Sequence, residues 1–185
     1  IYRNFTDKHK INIEWKQGGY CFPVYREEEE KTLKGILPIQ KEHGLKIDWV
    51  GADEIKEIIP GINPEGLKGG TYSPEDGDLS PLRTAYAWYD VTKKMGCDYV
   101  FNESVTGIDV LNGKVTAVRT EKDTYPAKIV VNASGANANE VGKLNGLDLP
   151  VAPDSHEAGI TSPVKEFLGP LVVDLRPGPE GKTSN

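Results

Sequence analysis

The run Ile129-Val130-Val131-Asn132-Ala133-Ser134-Gly135, continued by Ala136-Asn137-Ala138-Asn139-Glu140-Val141-Gly142, constrains this chain more than any other stretch. An apolar segment reaches a turn of small residues and passes straight into a helix-like segment. A strand that ends in small residues lets backbone approach a ligand closely, and a helix N-terminus favours negative charge there. A phosphate-bearing ligand suits such a place, and so does an ordinary tight strand–helix joint. The neighbouring segments have to decide between them.

The chain has 185 residues, enough for one good core or for one domain with part of another. Its formal net charge of −6 argues against a nucleic-acid surface, which needs clustered Lys and Arg. The one dense charge run, Arg26 to Lys31, is acidic and reads as the solvated start of a helix. Cys21 and Cys97 stand far apart and form no Cys-x-x-Cys pair, so neither a disulfide scaffold nor a metal site is expected. The default compartment is a reducing cytoplasm. No apolar stretch has the length of a membrane span. The chain opens on Ile1, its only methionine is Met95, and it closes on a Pro- and Gly-rich loop. A piece of a longer polypeptide is the expectation.

Strands are predicted at Ile11–Trp15, within Gly18–Tyr25 and Lys46–Val50, at Leu67–Tyr72 and from Ala127 to Asn132. His156–Thr161 and Leu171–Leu175 are later strand candidates. A helix is expected from Glu27 to Gly44, with Leu33, Ile36, Leu37 and Gln40 on one side. Asp53 reads as the cap of a helix over Glu54–Ile59 that Pro60-Gly61 stops. Ser80-Pro81 is a strong helix start, and Leu82, Ala85, Tyr86 and Tyr89 then share one face before Gly96. Asn112-Gly113 is the preferred dipeptide of a two-residue type I′ hairpin. That turn would pair Val110 with Val115 and Ile108 with Ala117, all four on the buried side. No internal repeat is visible.

The order of these segments carries more than any one of them. Asp76-Gly77-Asp78-Leu79-Ser80-Pro81 precedes a helix ending at Gly96; Val105, the Asn112-Gly113 hairpin, the 129–135 run and Leu149-Pro150-Val151 follow. From about Gly18 onward this resembles the middle of FAD-dependent amine or amino-acid oxidoreductases of the D-amino acid oxidase, glycine oxidase and sarcosine oxidase group. Within it the chain most resembles the sarcosine oxidase β-subunit-like proteins.

The resemblance implies an α+β fold (mixed α/β): a mostly antiparallel mixed sheet of a substrate domain with helices, plus part of a Rossmann-like FAD domain. Residues 1–78 and 148–185 would belong to the substrate domain, and 79–147 would be the return segment of the FAD domain. Val105 would meet the adenine end of FAD through its backbone, and Ala133, Ser134 and Gly135 would lie near the pyrophosphate. His156 falls where the family chain re-enters the substrate domain. Tyr72, with Tyr20 and Tyr25, could line a substrate pocket, although half-buried core aromatics explain them as well. Arg83 could meet an anion or simply be salt-bridged. His9 and His43 read as surface residues.

Two family features are missing. No Gly-x-Gly-x-x-Gly turn is present, and Gly66-Leu67-Lys68-Gly69-Gly70 lacks its spacing. The part that completes the flavin-ring pocket would lie beyond Asn185. Many relatives also carry tryptophan and serine where this chain has Asn137 and Ala138. The chemistry implied for the intact protein is oxidation of a small amine or amino acid (sarcosine, glycine, proline or a D-amino acid) by hydride transfer to flavin. Oxygen or a partner subunit would take the electrons. The 185 residues alone should be inactive and bind FAD weakly or not at all. Two rivals stand beside this: a non-catalytic mixed α/β binding module, and an FAD-dependent 2-hydroxy acid or glycerol 3-phosphate dehydrogenase. No residue is assigned a catalytic role from sequence.

Overall fold

The structure, a computed structural model, describes residues 2–155 and 157–176. In chain order the elements are α1 (Phe5–His9), β1 (Tyr20–Val24), α2 (Glu27–Glu42), β2 (Asp48–Gly51), α3 (Ala52–Ile58), β3 (Gly69–Ser73) and α4 (Pro81–Lys94). Then come β4 (Val105–Leu111), β5 (Lys114–Thr120), β6 (Thr124–Pro126), α5 (Ala138–Lys143) and β7 (Leu171–Val172). The chain divides into two compact units: Ile1–Cys97 with the residues from Pro163 onward, and Asp98–Ser162. Among the described residues no helix is long and apolar enough to cross a membrane.

The first unit holds a four-stranded sheet in the order β2-β3-β1-β7. β3 runs antiparallel to both neighbours, with Cys21 opposite Tyr72 and Trp49 opposite Thr71. β7 is parallel to β1. The sheet is therefore mixed and mostly antiparallel, as expected. β1 and β2 point the same way with β3 between them, so they need a long crossover, and α2 supplies it. Cys21, Ile55 and Ile59 form a buried cluster against which Val50, Tyr72 and Val172 pack, so α3 covers the Cys21 face.

A second core in this unit joins Phe5, Ile13 and Ala87, with Trp88 and Val91 packed on it. The Phe5 and Trp88 rings meet edge to face at 5.0 Å, and His9 stands 4.6 Å from Phe5. His9 is thus half-buried rather than a surface residue. Fully burying side chains such as Phe5 and Ile13 contributes about 1.5–3 kcal/mol each, which ties α1 and the 11–15 segment to α4.

Several sequence expectations are corrected here. Ile11–Trp15 is not a strand. Ile13 is inward as the alternation requires, but the Asn12 side chain accepts the Glu14 N–H at 2.8 Å and Glu14 sits at φ 59, which bends the segment out of strand geometry. Asp53 does not cap α3. Gly51 stands at the N-cap, and Asp53 lies inside the first turn, paired with Lys56 at 2.6 Å. The acidic run at α2 is solvated at Glu27 and Glu28 but not at Glu29, which is 6% exposed. Its Oε1 accepts from Arg26 Nε at 2.8 Å and its Oε2 from the Arg26 N–H at 3.2 Å, satisfying the helix start. On α2, Leu37 is buried and Leu33 half-buried, while Ile36 is exposed.

α4 starts where Ser80-Pro81 predicts, with the Ser80 hydroxyl accepting the Arg83 N–H at 3.4 Å. Its buried side is not the expected one. Thr84, Ala87, Trp88 and Val91 face the Phe5–Ile13 core, and Leu82, Ala85 and Tyr86 are exposed. Both faces of the helix are apolar, so periodicity could not choose between them.

The second unit is built on the antiparallel sheet β4-β5-β6. Asn112 (φ 52) and Gly113 (φ 74) form the expected turn, and Val110 pairs with Val115. A bulge between Asp109 and Val110 then advances the register by one residue, so Ile108 pairs with Val118 and Ala117 falls opposite Asp109. Val118 therefore takes the place expected of Ala117, and Val110 remains exposed. The predicted strand at 127–132 is extended but unpaired; among the described residues no strand lies beside it, and Ile129 and Val131 are 82% and 81% exposed. Residues 157–161 likewise form no strand, whereas the 171–175 candidate is realised as β7.

Candidate cofactor-binding turn

Within the second unit, Asn132 shapes the small-residue turn. Its Oδ1 accepts both the Ser134 N–H at 3.3 Å and the Ser134 hydroxyl at 2.7 Å, and its Nδ2 donates to the Ala138 carbonyl at 2.8 Å. One side chain thus spans the turn from its first residue to the start of α5. Gly135 sits at φ 58, in the left-handed region, and a Cβ there would meet nothing within 4 Å. A 3₁₀ turn over Gly135–Asn137 leads into α5. Ala133, Gly135 and Ala136 are exposed, so the backbone of the turn is open.

The helical stretch that follows is three residues of 3₁₀ turn and six of α-helix. A macrodipole of that length is weak. Close backbone approach, rather than helix charge, is what this turn offers a phosphate. The Asn132 role was missed in the sequence, where the residue read as the end of a strand. An Asn two residues before a Ser is the signature of such a turn and could have shown it.

Val105 opens β4 opposite Thr120 and is 42% exposed. β4 is the edge of its sheet, so one rim of its backbone carries no strand among the described residues. Backbone contact, the role the resemblance implies for Val105, is compatible with an edge strand. Val105 and Ala133–Gly135 belong to the same compact unit. A cavity of about 280 Å³ lies between the inner face of the hairpin and the extended run, lined by Ile108, Val115, Val130, Asn132, Val141 and Leu149.

Tyr72 lies in the first unit. It is half-buried on the α3 face of the sheet, and its hydroxyl donates to the Gly18 carbonyl at 3.4 Å. Its ring lies over Gly19 (φ 91), where a Cβ would come within 2.5 Å of it. The side chain is thereby engaged in holding the Gly18-Gly19 entry to β1. His156 lies outside the described residues. Arg83 is salt-bridged to Glu14 at 3.2 Å, and Tyr20 and Tyr25 are half-buried. Arg176 stacks on the Tyr25 ring at 4.0 Å and holds the Asp174 carboxyl below its ordinary range. Burial pushes the Cys21 thiol up to about 11. No group of His, Cys, Asp and Glu among the described residues could hold a metal ion.

A family model described as FAD dependent oxidoreductase (DAO) matches residues 1–182. The chain belongs to this family. The mouse mitochondrial sarcosine dehydrogenase is 25% identical over 89% of the chain, and D-amino acid dehydrogenase 2 of Mesorhizobium japonicum 36% identical over 71%. These matches span 18% and 32% of the relatives' own lengths. Among solved structures, L-proline dehydrogenase from P. horikoshii superposes with a TM-score of 0.79 at 26% identity, covering 96% of this chain and 48% of that one. Members of the DAO family are FAD-dependent, and the open turn at Ala133–Gly135 and the edge backbone at Val105 fit that cofactor. The Gly-x-Gly-x-x-Gly turn is not among these 185 residues.

Proposed function

We propose that the intact protein oxidises a small amine or amino acid of the sarcosine, glycine, proline or D-amino acid type. The observation that carries this is the family match over residues 1–182, together with relatives named as sarcosine, D-amino acid and L-proline dehydrogenases. FAD, when bound, supplies the two-electron acceptor for this C–H oxidation.

The chain's own residues have positional tasks. Ala133, Ser134 and Gly135 present backbone N–H groups to the pyrophosphate, with Asn132 fixing their conformation. Val105 presents the edge of β4 to the adenine end. In this reading residues 79–147 serve the FAD domain and 1–78 and 148–185 the substrate domain. The compact units break elsewhere, at Cys97/Asp98 and Ser162/Pro163, but compactness does not decide which ligand a segment meets. Neither substrate-contact candidate carries the proposal, since Tyr72 is engaged by Gly18 and His156 is not described. The isolated 185 residues are expected to be inactive.

The test is the absorption spectrum of the protein from the intact reading frame, before and after anaerobic addition of sarcosine, proline, glycine and D-alanine. A flavin spectrum bleached by one of them supports the reading and names the substrate class. A flavin that none bleaches moves the weight to the 2-hydroxy acid or glycerol 3-phosphate alternative. A colourless protein that takes up no FAD leaves the binding-module alternative. One relative is named as the β subunit of a sarcosine oxidase, which motivates a partner subunit as electron acceptor. A bleached flavin that stays bleached on admitting air supports that partner; rapid return of colour favours oxygen.

A further inference from the structure

α4 carries two apolar faces, and the first unit uses one of them. Thr84, Ala87, Trp88 and Val91 turn toward Phe5 and Ile13. On the other side Leu82, Ala85, Tyr86 and Tyr89 follow one another at helical spacing. Leu82 is 84% exposed and Tyr86 69%, and the Tyr86 and Tyr89 rings lie 6.2 Å apart. A helix apolar on both sides is an interior helix, and a monomer seldom leaves a contiguous apolar patch of this kind in water.

We propose that the Leu82–Tyr86 face of α4 is a docking surface for polypeptide of the same protein lying outside these 185 residues. The length of the matching fold argues for that occupant. L-proline dehydrogenase takes in 96% of this chain with a TM-score of 0.79, yet the match uses only 48% of that protein. A fold of this kind has about as much polypeptide again to pack, and α4 is an element left half covered. A second copy of the chain is the competing occupant. The inference goes beyond the redox reading and does not need it.

The experiment is hydroxyl-radical footprinting of the full-length protein from the intact reading frame, native and in denaturant, at dilute and at high concentration. Oxidation of Leu82 and Tyr86 is expected to be about tenfold slower in the native protein than in the denatured one, at both concentrations. Oxidation of both residues at the denatured rate overturns the proposal. Protection that appears only at high concentration assigns the face to a second copy and overturns it too. Flavin content read on the same sample separates the two readings. Protection in a colourless protein supports this inference and sinks the oxidoreductase, and an unprotected face in a yellow protein does the reverse.

Discussion

Asn132 and Ser134 are joined by two hydrogen bonds to a single oxygen: Asn132 Oδ1 accepts the Ser134 N–H at 3.3 Å and its hydroxyl at 2.7 Å. With Nδ2 on the Ala138 carbonyl, the one side chain closes the turn. Asn132→Ala removes all three bonds. At an exposed site each is worth about 1 kcal/mol or less, so stability should fall by roughly 1–2 kcal/mol. FAD affinity of the intact protein should fall more clearly, since the turn's backbone loses its preset shape. Ser134→Ala removes only the hydroxyl bond and should do neither strongly. Thermal melts and FAD titrations of the two variants check this. Equal affinity loss in both would mean that the serine hydroxyl, not the shape of the turn, matters.

The entry to β1 is set by close packing. A Cβ on Gly18 would stand 1.9 Å from the Gly169 carbonyl oxygen, and the Leu171 N–H donates to the Gly19 carbonyl at 3.0 Å. Gly18→Ala must push β7 off β1 and is expected to cost about 2–3 kcal/mol. The urea midpoint should drop with little change in slope. Tyr72→Phe removes only the 3.4 Å bond to Gly18 and should cost well under about 1 kcal/mol. If Tyr72 also touches substrate, Tyr72→Phe raises KM in the intact enzyme; an unchanged KM leaves it a purely structural residue.

Local signals in the sequence were strong where a residue type forces a backbone state. Asn112-Gly113 announced its turn, Ser80-Pro81 its helix, and the glycine-flanked β1 and β3 their strands. What failed had a longer reach. The face of α4 depended on Phe5 and Ile13, more than sixty residues away. The 127–132 run reads as a strand because it is apolar and β-branched, but pairing needs neighbours that the described residues do not contain. The bulge at Asp109–Val110 swapped Ala117 for Val118, and nothing in an alternating pattern marks where a ladder will slip.

The candidate site was legible as composition and not as geometry. Small residues at Ala133-Ser134-Gly135 pointed to close backbone approach, and the open turn is compatible with that. The expected helix charge is weak because the helix proved short. The part of Asn132 went unread because its bonds reach forward along the chain to residues 134 and 138.

At the far edge of β1, Arg176 holds Asp174 by a fork of hydrogen bonds, its Nη2 at 2.6 Å from Oδ2. The bond to Arg176 lowers the Asp174 carboxyl from its ordinary value of 3.8. A carboxyl whose folded value is depressed stabilises the fold above the unfolded value and loses that contribution as pH falls through the folded one. The wild type should therefore lose stability faster below about pH 4 than Asp174→Asn does. Both partners are nearly half exposed, so the difference is small and shrinks in salt. Melting curves across the acid range at low and high ionic strength read it; identical curves for the two proteins would show that the pair contributes nothing.

The alkaline side rests on Cys21, fully buried between β1 and α3. Burial raises its thiol from 9.0 to about 11. A raised folded value means that the neutral thiol's contribution is complete below pH 9.0 and is lost as pH climbs toward about 11. The unfolded chain gains a solvated thiolate in that window, while the folded chain has nowhere to put one. Cys21→Ala leaves a small cavity and starts from lower stability at neutral pH. Its melting temperature should nonetheless fall less steeply than the wild type's between pH 9 and 11, so the two curves converge. Thiol labelling separates the same residues: exposed Cys97 should react at once at neutral pH and Cys21 only on unfolding. Parallel melting curves for wild type and Cys21→Ala, or prompt labelling of Cys21 in the native protein, would show that the thiol is not sealed in the sheet–helix interface.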